Sequence, residues 1–206
     1  MFFIFSIFCE GGKMEEIKLP EPLKTNEKIE VCIEKRRSIR RFKKDTLSMQ
    51  EISTLLWATQ GITEKKREFR TAPSAGATYP LEVYLLKHDG FFRYIPSRHS
   101  LVKISDKDMR KELCKACLGQ SYVEEAPIDI VITAIPERTT RYYGERGIRY
   151  VWIEVGHAAQ NLHLEAVALG LGSVPIGAFH DEEIKNLMKL KENEIPCYVI
   201  PVGHPK

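Results

Sequence analysis

The sequence lacks the features that would point to a disulfide framework or a nucleic-acid surface. Its 206 residues carry a net charge of only +3, too little to indicate that the whole surface binds nucleic acid. Its five cysteines are an odd number in a chain long enough to build its own core, which favours a reducing cytoplasm over a disulfide framework. Glutamine and asparagine are scarce beside abundant Lys, Arg and Glu, and this balance favours a thermophilic source.

No membrane span is expected from the apolar run near the N-terminus. Residues 2–8 are far fewer than the roughly 20 residues that a helix needs to cross a bilayer. The run has no basic segment before it and no small residue immediately before Cys9, so it does not match a signal peptide either. We interpret residues 1–13 as disordered or not native, with Met14 as the true start, and residues 1–27 together as an N-terminal arm.

Residues 28–206 are predicted to form one globular domain. The composition is 43% hydrophobic and 29% charged, which is typical of folded rather than disordered chains. A chain of this length buries roughly 70% of the surface that its unfolded form exposes. The predicted domain therefore needs no disulfide or metal ion to be stable.

The chain is organised around residues 148–179, whose first half is apolar at almost every helical register. A helix that is apolar on most sides must be buried on most sides. Gly156 would let another backbone approach it closely. The turn that follows, residues 173–179, is either an ordinary loop or a site whose backbone N–H groups point at a ligand. The apolar positions of the helix include Val151, Trp152, Val155, Ala158, Ala159, Leu162, Ala166 and Leu169.

Six basic residues fall between Arg36 and Lys44 with no acidic residue among them. Three interpretations are open: a solvated charge run, a nucleic-acid patch, or a clamp for a phosphate group. Arginine offers planar paired donors to phosphate oxygens, and the hydroxyl group of Ser38 adds a neutral donor. A nucleic-acid patch would need more aromatic residues and a more basic chain. Ile39 and Phe42 favour a fixed strand or turn over a mobile tail.

Local signals predict most of the remaining elements. Ser48 and Glu51 form a capping-box pattern that begins a helix over residues 45–61. Residues 71–80 place small side chains between two prolines, which permits either a plain turn or close approach of a planar ligand to the backbone. Residues 88–90 predict the turn of a β-hairpin. Strands are predicted at residues 81–86, 91–95, 128–135 and 197–203, and helices at residues 106–117 and 181–190.

The residues that could support metal or nucleophilic chemistry form no recognisable pattern. Cys114 and Cys117 stand alone, without the second pair of a zinc site or the preceding strand of a thioredoxin-type motif. The histidines in the second half of the chain have neither metal-ligand nor triad spacing. We therefore expect no metal ion and no catalytic side chain.

Five segments of the sequence, in order, resemble the nitroreductase family of flavoproteins, and most closely its SagB-type dehydrogenases of azoline oxidation. The segments are RRSIRRF, WATQGI, PSAGATYPLEVYL, GHAAQNLHLEAVALGLGSVPIGAF and the terminal VGHP, and together they cover about residues 28–206. The resemblance implies an α+β fold with a central mixed sheet flanked by helices. It also implies a domain-swapped type of homodimer that holds two FMN molecules at the subunit interface.

The resemblance implies that the basic run binds FMN at both its phosphate and its ring. Arg36 and Ser38 would hold the phosphate with help from Arg37. Arg40 would face the O2/N1 edge of the isoalloxazine, where a cation favours the anionic reduced flavin. Many family members add a basic C-terminal residue to the phosphate site. Here only two residues could take that place: His204 and Lys206.

The resemblance assigns the flavin ring to two further segments. One edge would meet the turn after the long helix, with two backbone amides near O4 and N5. The opposite lining would come from the small residues between the two prolines, on the same chain or on the second subunit. The residues concerned are Pro73, Ser74, Ala75, Gly76, Pro175, Ile176, Gly177 and Ala178.

The implied activity is hydride transfer from NADH or NADPH, through flavin N5, to a small acceptor such as a nitroaromatic compound or a quinone. The two substrates would take turns in a ping-pong mechanism. Residues 138–150, with Arg141, Tyr142 and Tyr143, would form a substrate-selecting loop or a plain exposed loop. We also consider a flavin-binding module for storage or sensing without turnover. A SagB-like azoline dehydrogenase is disfavoured, because the C-terminal segment used for proton abstraction is not seen.

Overall fold

The computed structural model describes residues 15–206, so the interpretation of residues 1–13 and of Met14 lies outside the described residues. The chain forms nine strands, seven α-helices and one short 3-10 helix (Ala75–Ala77) over the described range. The strands are β1 (Glu16–Lys18), β2 (Ile62–Glu64), β3 (Phe69–Arg70), β4 (Leu81–Lys87), β5 (Gly90–Ile95), β6 (Ser100–Ser105), β7 (Ile128–Ala134), β8 (Gly172–Ser173) and β9 (Ile195–Gly203). The helices are α1 (Ile29–Lys35), α2 (Met49–Gln60), α3 (Arg110–Ala116), α4 (Tyr122–Glu125), α5 (Glu137–Tyr143), α6 (Arg146–Ala168) and α7 (Asp181–Met188).

Seven of these strands form the central sheet, in the order β1-β6-β5-β4-β7-β9-β8. Every pairing within it is antiparallel, so the mixed sheet that the resemblance implied is corrected to an antiparallel one. The reason is that β4, β5 and β6 follow one another through tight hairpins, while β7 and β9 each reverse direction beside their neighbour. The parallel pairing seen at the sheet's edge is an isolated bridge between Ser38 and Ser173.

Helices cover both faces of the sheet and enclose two apolar cores. On β4, Val83 and Leu85 face the core that contains α2 and α6, whereas Tyr84 and Leu86 face the core that contains α3 and α7. Successive side chains of a strand point to opposite faces, so one strand supplies both cores. The α+β fold with a helix-flanked sheet is therefore confirmed.

The structure confirms the helix and the first hairpin that the local signals predict. Ser48 accepts a hydrogen bond from the backbone N–H of Glu51, and the Glu51 carboxylate accepts one from the N–H of Ser48, which completes the capping box. β4 and β5 pair around the predicted turn, with Lys87 opposite Gly90. Both elements depend on residues close together in sequence, which is why the sequence predicted them.

The long helix α6 differs from expectation at its start and on its surface. It begins at Arg146, and residues 138–150, predicted as a loop, are helical in α5 and in the first turn of α6. Gly144, with φ of +57°, separates the two helices. Within one chain α6 is not buried on most sides, because Trp152 and Ile153 are 49% and 48% exposed. No helix within residues 15–206, α6 included, is both long enough and apolar enough to cross a membrane.

Candidate functional site

The basic segment after α1 runs alongside the short strand β8. The backbone N–H of Ile39 donates to the carbonyl oxygen of Ser173 at 3.0 Å, beside the bridge from Ser38 to Ser173. Gly172 makes this approach possible, because a Cβ atom there would lie 2.7 Å from the side chain of Ile39. The structure thus brings the predicted phosphate segment next to the turn that follows α6.

A histidine links these two segments. Nη1 of Arg36 lies 3.0 Å from Nε2 of His163, and Nδ1 of His163 lies 2.5 Å from the hydroxyl oxygen of Ser173. Arginine can only donate, so Nε2 accepts and the ring proton sits on Nδ1, where it can donate to Ser173. Burial and the neighbouring Arg36 charge lower the pKa of His163 to about 4. His163 is therefore a neutral support that leaves the charge of Arg36 uncompensated.

None of the six cations between Arg36 and Lys44 forms an ion pair with a carboxylate within residues 15–206. In contrast, Lys35 pairs with Glu27 at 3.4 Å one residue before this segment begins. Clustered cations without internal partners attract an anion, and arginine guanidinium groups suit phosphate oxygens in particular.

The side chains of this segment do not all point to one place. Nη1 of Arg37 donates to the carbonyl oxygens of Glu34 at 3.0 Å and Arg36 at 2.7 Å, and so closes the end of α1. Ser38 is exposed beside β8. The guanidinium group of Arg40 lies 5.8 Å from the centre of the Tyr122 ring.

The loop before α4 connects Arg40 to the turn after α6. Tyr122 donates its hydroxyl hydrogen to Oε1 of Gln120, and Nε2 of Gln120 donates to the carbonyl oxygen of Ala178 at 3.1 Å. Gln120 was not recognised in the sequence, because its partner Ala178 lies 58 residues further along the chain. The contact places the end of the turn on the same side of the molecule as Arg40.

The predicted residues of the turn differ in burial and in whether their backbone N–H groups are free. Ile176 is buried and exchanges backbone hydrogen bonds with Val199, at 2.8 Å and 3.1 Å, so its amide is not free. Gly177 and Ala178 are exposed, and within residues 15–206 neither backbone N–H donates a hydrogen bond to the chain. Within the described chain, a Cβ atom at Gly177 would meet only the ring of Tyr198, at 3.6 Å. The turn therefore presents two consecutive free amides, as an anionic or carbonyl-bearing ligand requires.

The C-terminal residues lie beside the basic segment. The backbone N–H of Lys43 donates to the carbonyl oxygen of His204 at 2.9 Å, and the N–H of Lys206 donates to that of Arg41 at 3.1 Å. The imidazole of His204, however, lies between Asp45 and Glu51, with nitrogen-to-oxygen distances of 3.2 Å and 3.4 Å. Two carboxylates thus lie beside the ring, although its Nδ1 atom has no hydrogen-bond partner within residues 15–206, whereas Lys206 is exposed.

The small residues between the two prolines form a tight turn against α5. Gly76 has φ of +59°, and a Cβ atom there would lie 2.7 Å from the hydroxyl oxygen of Tyr143. Thr78 and Thr139 share a hydrogen bond of 2.8 Å between their hydroxyl groups. The structure thus brings together the predicted ring-lining segment and Tyr143, one of the predicted substrate residues. Arg141 and Tyr142 lie on the same helix and are exposed.

Within one chain, helix α6 separates the predicted ring-lining residues from the predicted phosphate-binding residues. The Ser74 side chain lies close enough to the carboxyl group of Glu154 to lower its pKa, whereas Arg36 contacts His163. Residues 154 and 163 are nine positions apart, which is about 14 Å along a helix and half a turn of rotation out of phase. The residues near Ser74 and those near Arg36 therefore lie on opposite sides of the helix.

Three neighbouring polar residues were missed in the sequence: Gln60 and Glu154, which are buried, and Arg70, which is half-buried. Burial raises the pKa of Glu154 to about 7, although Ser74, the Arg70 charge and Gln60 oppose that shift. One signal was available, because Glu154 is an acidic residue on the apolar side of a long helix. No group of three or more His, Cys, Asp and Glu residues converges as a metal site in the part of the chain that the structure describes.

Fold and site together define an α+β protein in which a basic segment and a turn with two free amides meet at the end of the longest helix. Residues 33–204 match the model of the nitroreductase family, and the chain belongs to that family.

Individual relatives support this assignment. A provisionally named nitroreductase of Methanocaldococcus jannaschii is 47% identical over 198 residues, which cover 93% of this chain and 98% of that protein. A crystal structure of a provisionally named nitroreductase from Ralstonia eutropha JMP134 matches with a TM-score of 0.84 at 29% identity, covering 93% of this chain and 90% of that one. A Bacillus subtilis protein named FMN reductase (NADPH) is 24% identical over 183 residues, covering 82% of this chain and 62% of that protein.

Proposed function

We propose that this protein is an FMN-dependent oxidoreductase that transfers hydride from NADH or NADPH to a small acceptor such as a nitroaromatic compound or a quinone. The observation that carries the proposal is the unpaired basic segment lying against a turn with two free amides. Membership of the nitroreductase family supports it, as does the name FMN reductase on a relative. The resemblance to the SagB-type dehydrogenases, as one group within the family, is also part of this proposal.

The donor set of the basic segment fits the phosphate of FMN. Arg36, fixed by neutral His163, would supply the main charge, with the hydroxyl group of Ser38 beside it. Arg37 would assist mainly by holding the end of α1, since its Nη1 atom is bound to two carbonyl oxygens. Lys206 is a better candidate than His204 for the C-terminal contact, because two carboxylates lie beside the His204 imidazole and would repel a phosphate.

The turn after α6 fits the edge of a flavin ring. The amides of Gly177 and Ala178 are free to donate to ring acceptors, while Pro175 and buried Ile176 would hold the turn in place. Arg40 would supply positive charge at the O2/N1 edge from its position near Tyr122. When bound, FMN supplies the N5 atom that accepts and releases hydride, so no side chain has to act as a nucleophile or general base.

A complete site would need two copies of the chain. The ring-lining residues 73–76 and the phosphate-binding residues lie on opposite sides of α6, so a second copy would have to bring its own residues 73–76 to the first. The exposed apolar side chains of Trp152 and Ile153 supply a surface for such a homodimer. Among residues 15–206, a Cβ atom at Gly156 would have no neighbour within 4 Å, which leaves room for close helix approach.

Substrate selection is assigned to α5. Tyr143 contacts Gly76 of the ring-lining turn, and Arg141 and Tyr142 extend from the same helix into solvent. An acceptor or nicotinamide ring stacked on the flavin would meet these side chains first.

The described cysteines, Cys32, Cys114, Cys117 and Cys197, are free thiols, and a cytoplasmic location is proposed on that basis.

An anaerobic titration tests the proposal. The purified protein, reconstituted with FMN, is mixed with NADH or NADPH while the visible flavin spectrum is followed, and then with a quinone or nitroaromatic acceptor. Bleaching by a nicotinamide and recovery on adding acceptor would support the proposal. Bound flavin that neither nicotinamide bleaches would indicate a storage or sensing module. Failure to bind FMN at all would refute both functions.

A further inference from the structure

Strands β4 and β5 separate at one end of their hairpin, and a cavity of about 220 Å³ lies at the opening. Their pairing ends with Tyr84 opposite Arg93, although β4 begins at Leu81. Residues 81–83 and 93–97 line the cavity. Its volume is far larger than the roughly 15 Å³ that one water molecule needs, and smaller than the roughly 300 Å³ at which pockets for drug-sized ligands begin. The cavity therefore has the size for a small ion or for one group of a larger ligand.

Three arginines and one carboxylate line this cavity. Oε2 of Glu82 accepts from Nε and Nη2 of Arg93, at 3.0 Å and 2.7 Å, and Oε1 accepts from Nη2 of Arg138 at 2.5 Å. The third arginine, Arg70, forms no ion pair with a carboxylate within residues 15–206. Three positive charges thus face one negative charge, which leaves an excess of two positive charges.

Arg70 is fixed at the cavity by uncharged partners. Its guanidinium group lies 4.5 Å from the centre of the Tyr79 ring, and its Nη1 atom donates to Oε1 of Gln60 at 2.9 Å. The carbonyl oxygen of Tyr79 accepts from Nη1 of Arg138 at 3.1 Å, so Tyr79 positions two of the three arginines. Glu154 is not among the residues that line the cavity. The arrangement therefore orients the arginines without neutralising them.

Two buried donors of the lining residues have no acceptor in the part of the chain described. They are Nε of Arg70 and Nε2 of Gln60, and Gln60 is fully buried. Because Arg70 can only donate, the amide oxygen of Gln60 faces it, and the amide nitrogen is the atom left unpaired. Native proteins leave few buried polar atoms unpaired. An anion would satisfy both donors and balance the excess charge at the same time.

We propose that this cavity is a second anion-binding site, whose ligand is a phosphate group. A dianion balances an excess of two positive charges, and guanidinium groups suit phosphate oxygens because they offer paired donors. The side chains of Arg93 and Arg138 are 33% and 29% exposed, so the ligand can enter from solvent. The inference is independent of the proposed FMN site, because none of the residues assigned to FMN lines the cavity.

Calorimetric titration with inorganic phosphate at pH 8, where phosphate is mainly a dianion, tests this site. The protein is first reconstituted with FMN and freed of excess FMN, so that the basic segment is occupied. The wild type should bind phosphate, and should bind the monoanion acetate more weakly. Arg70→Gln should lower phosphate affinity about tenfold or more, because a charge-assisted contact is lost while Glu82 keeps both of its arginines.

Arg67→Gln is the matched control. It removes the same charge three residues earlier in the chain, where Arg67 is exposed and pairs with Glu64 at 3.1 Å. Its phosphate affinity should equal that of the wild type. A protein that binds no FMN refutes the proposed function but leaves this comparison valid, since Arg70→Gln and Arg67→Gln differ only in which side of the chain loses a charge.

Ser97→Glu provides the test if Arg70→Gln does not fold. Ser97 is an exposed residue that lines the cavity, so a carboxylate there should leave the fold intact and repel phosphate, most strongly at low salt. Weaker phosphate binding in either variant, with unchanged binding in Arg67→Gln, supports the inference. A wild type that binds no phosphate overturns it, and so do equal affinities in the wild type, the cavity variants and the control.

Competition then distinguishes free phosphate from a phosphate group of a larger molecule. NADP⁺ and NAD⁺ differ by one phosphate group, and as oxidised forms neither reduces a bound flavin. Displacement of phosphate by NADP⁺ alone would support the site and assign it to the group that distinguishes the two nucleotides. Displacement by neither would support a site for free phosphate.

Discussion

Arg36 and His163 are 127 residues apart in the sequence, yet Nη1 of the arginine lies 3.0 Å from Nε2 of the histidine. The histidine is buried and neutral, and its other nitrogen bonds the hydroxyl group of Ser173. A single uncharged side chain thus fixes Arg36 near the end of α6.

This contact makes the stability of the protein sensitive to acid. His163 has a folded pKa of about 4 against about 6.5 in the unfolded chain, so the unfolded state binds more protons between these values. The stabilising contribution is fully present above pH 6.5 and is lost as the pH falls towards 4. His163→Gln should remove about 2 kcal/mol of the stability loss between pH 7 and pH 5, as measured by urea unfolding. Exposed His157→Gln is the control, and an unchanged pH dependence in His163→Gln would contradict the contact.

Arg36→Ala should lower FMN affinity by about ten- to a hundredfold, because a charge-assisted hydrogen bond contributes roughly 1.5–3 kcal/mol. Lys35→Ala is the matched control, since Lys35 precedes it directly but pairs with Glu27. Affinities come from quenching of FMN fluorescence at two salt concentrations, and the loss should shrink at high salt. Equal losses in both variants would indicate that the segment acts only through its overall charge.

Gly76→Ala should destabilise the protein for two separable reasons. Its φ of +59° disfavours any side chain, and the new Cβ atom would lie 2.7 Å from the hydroxyl oxygen of Tyr143. Gly119→Ala isolates the first cost, because Gly119 has φ of +70° and a Cβ atom there would have no neighbour within 4 Å in the part of the chain that the structure describes. We expect Gly119→Ala to cost about 1 kcal/mol and Gly76→Ala to cost more in thermal unfolding. Adding Tyr143→Phe should recover part of the difference; no recovery would place Tyr143 elsewhere.

Asp129 should make the protein less stable at alkaline pH. It is fully buried in β7, neither carboxyl oxygen has a partner within residues 15–206, and burial raises its pKa well above the usual range. The folded state therefore keeps a proton that the unfolded state has lost, and stability falls as the pH rises from about 4 through the folded pKa. Asp129→Asn should flatten this dependence in urea unfolding at pH 5 and pH 8. Exposed Asp106→Asn should leave it unchanged.

Trp152→Glu tests the proposed homodimer. The wild type should have the mass of two chains in light scattering. In the variant, dimerisation would bury a charge on this side of α6, so the two chains should separate. FMN retention should fall with dimerisation, since residues 73–76 of the second copy would be lost from the site. Ile104→Glu introduces the same charge at an exposed apolar residue of β6 and should alter neither property. A monomeric wild type that retains FMN would exclude the two-copy site.

The sequence predicted elements whose signals are local. The capping box of α2 and the β4–β5 hairpin depend on residues a few positions apart, and both were correct. The resemblance to known proteins supplied the fold, but strand directions depend on contacts across the whole chain, and the mixed sheet was wrong. Residues 138–150 were mistaken for a loop because their glycines and polar side chains hide two helices that meet at Gly144.

His163 and Glu154 were not predicted from the sequence, and the physical reason is the same for both. His163 gains its role from Arg36, which the fold brings to it from 127 residues away. The neighbours of Glu154, Gln60 and Arg70, are likewise distant in the sequence. The placement of Arg36 beside the turn after α6 was anticipated only through the resemblance. Its fixation by a neutral imidazole needed the three-dimensional structure, because the tautomer follows from which atoms meet.

The two-sided arrangement of α6 also bears on how the protein tolerates damage. If the phosphate-binding side of each chain binds one flavin and its ring-lining side binds the other, neither chain forms a complete pocket by itself. Unfolding of a single copy would then impair both pockets of a pair, whereas a substitution on one side of α6 in one copy would impair only the pocket that this side lines.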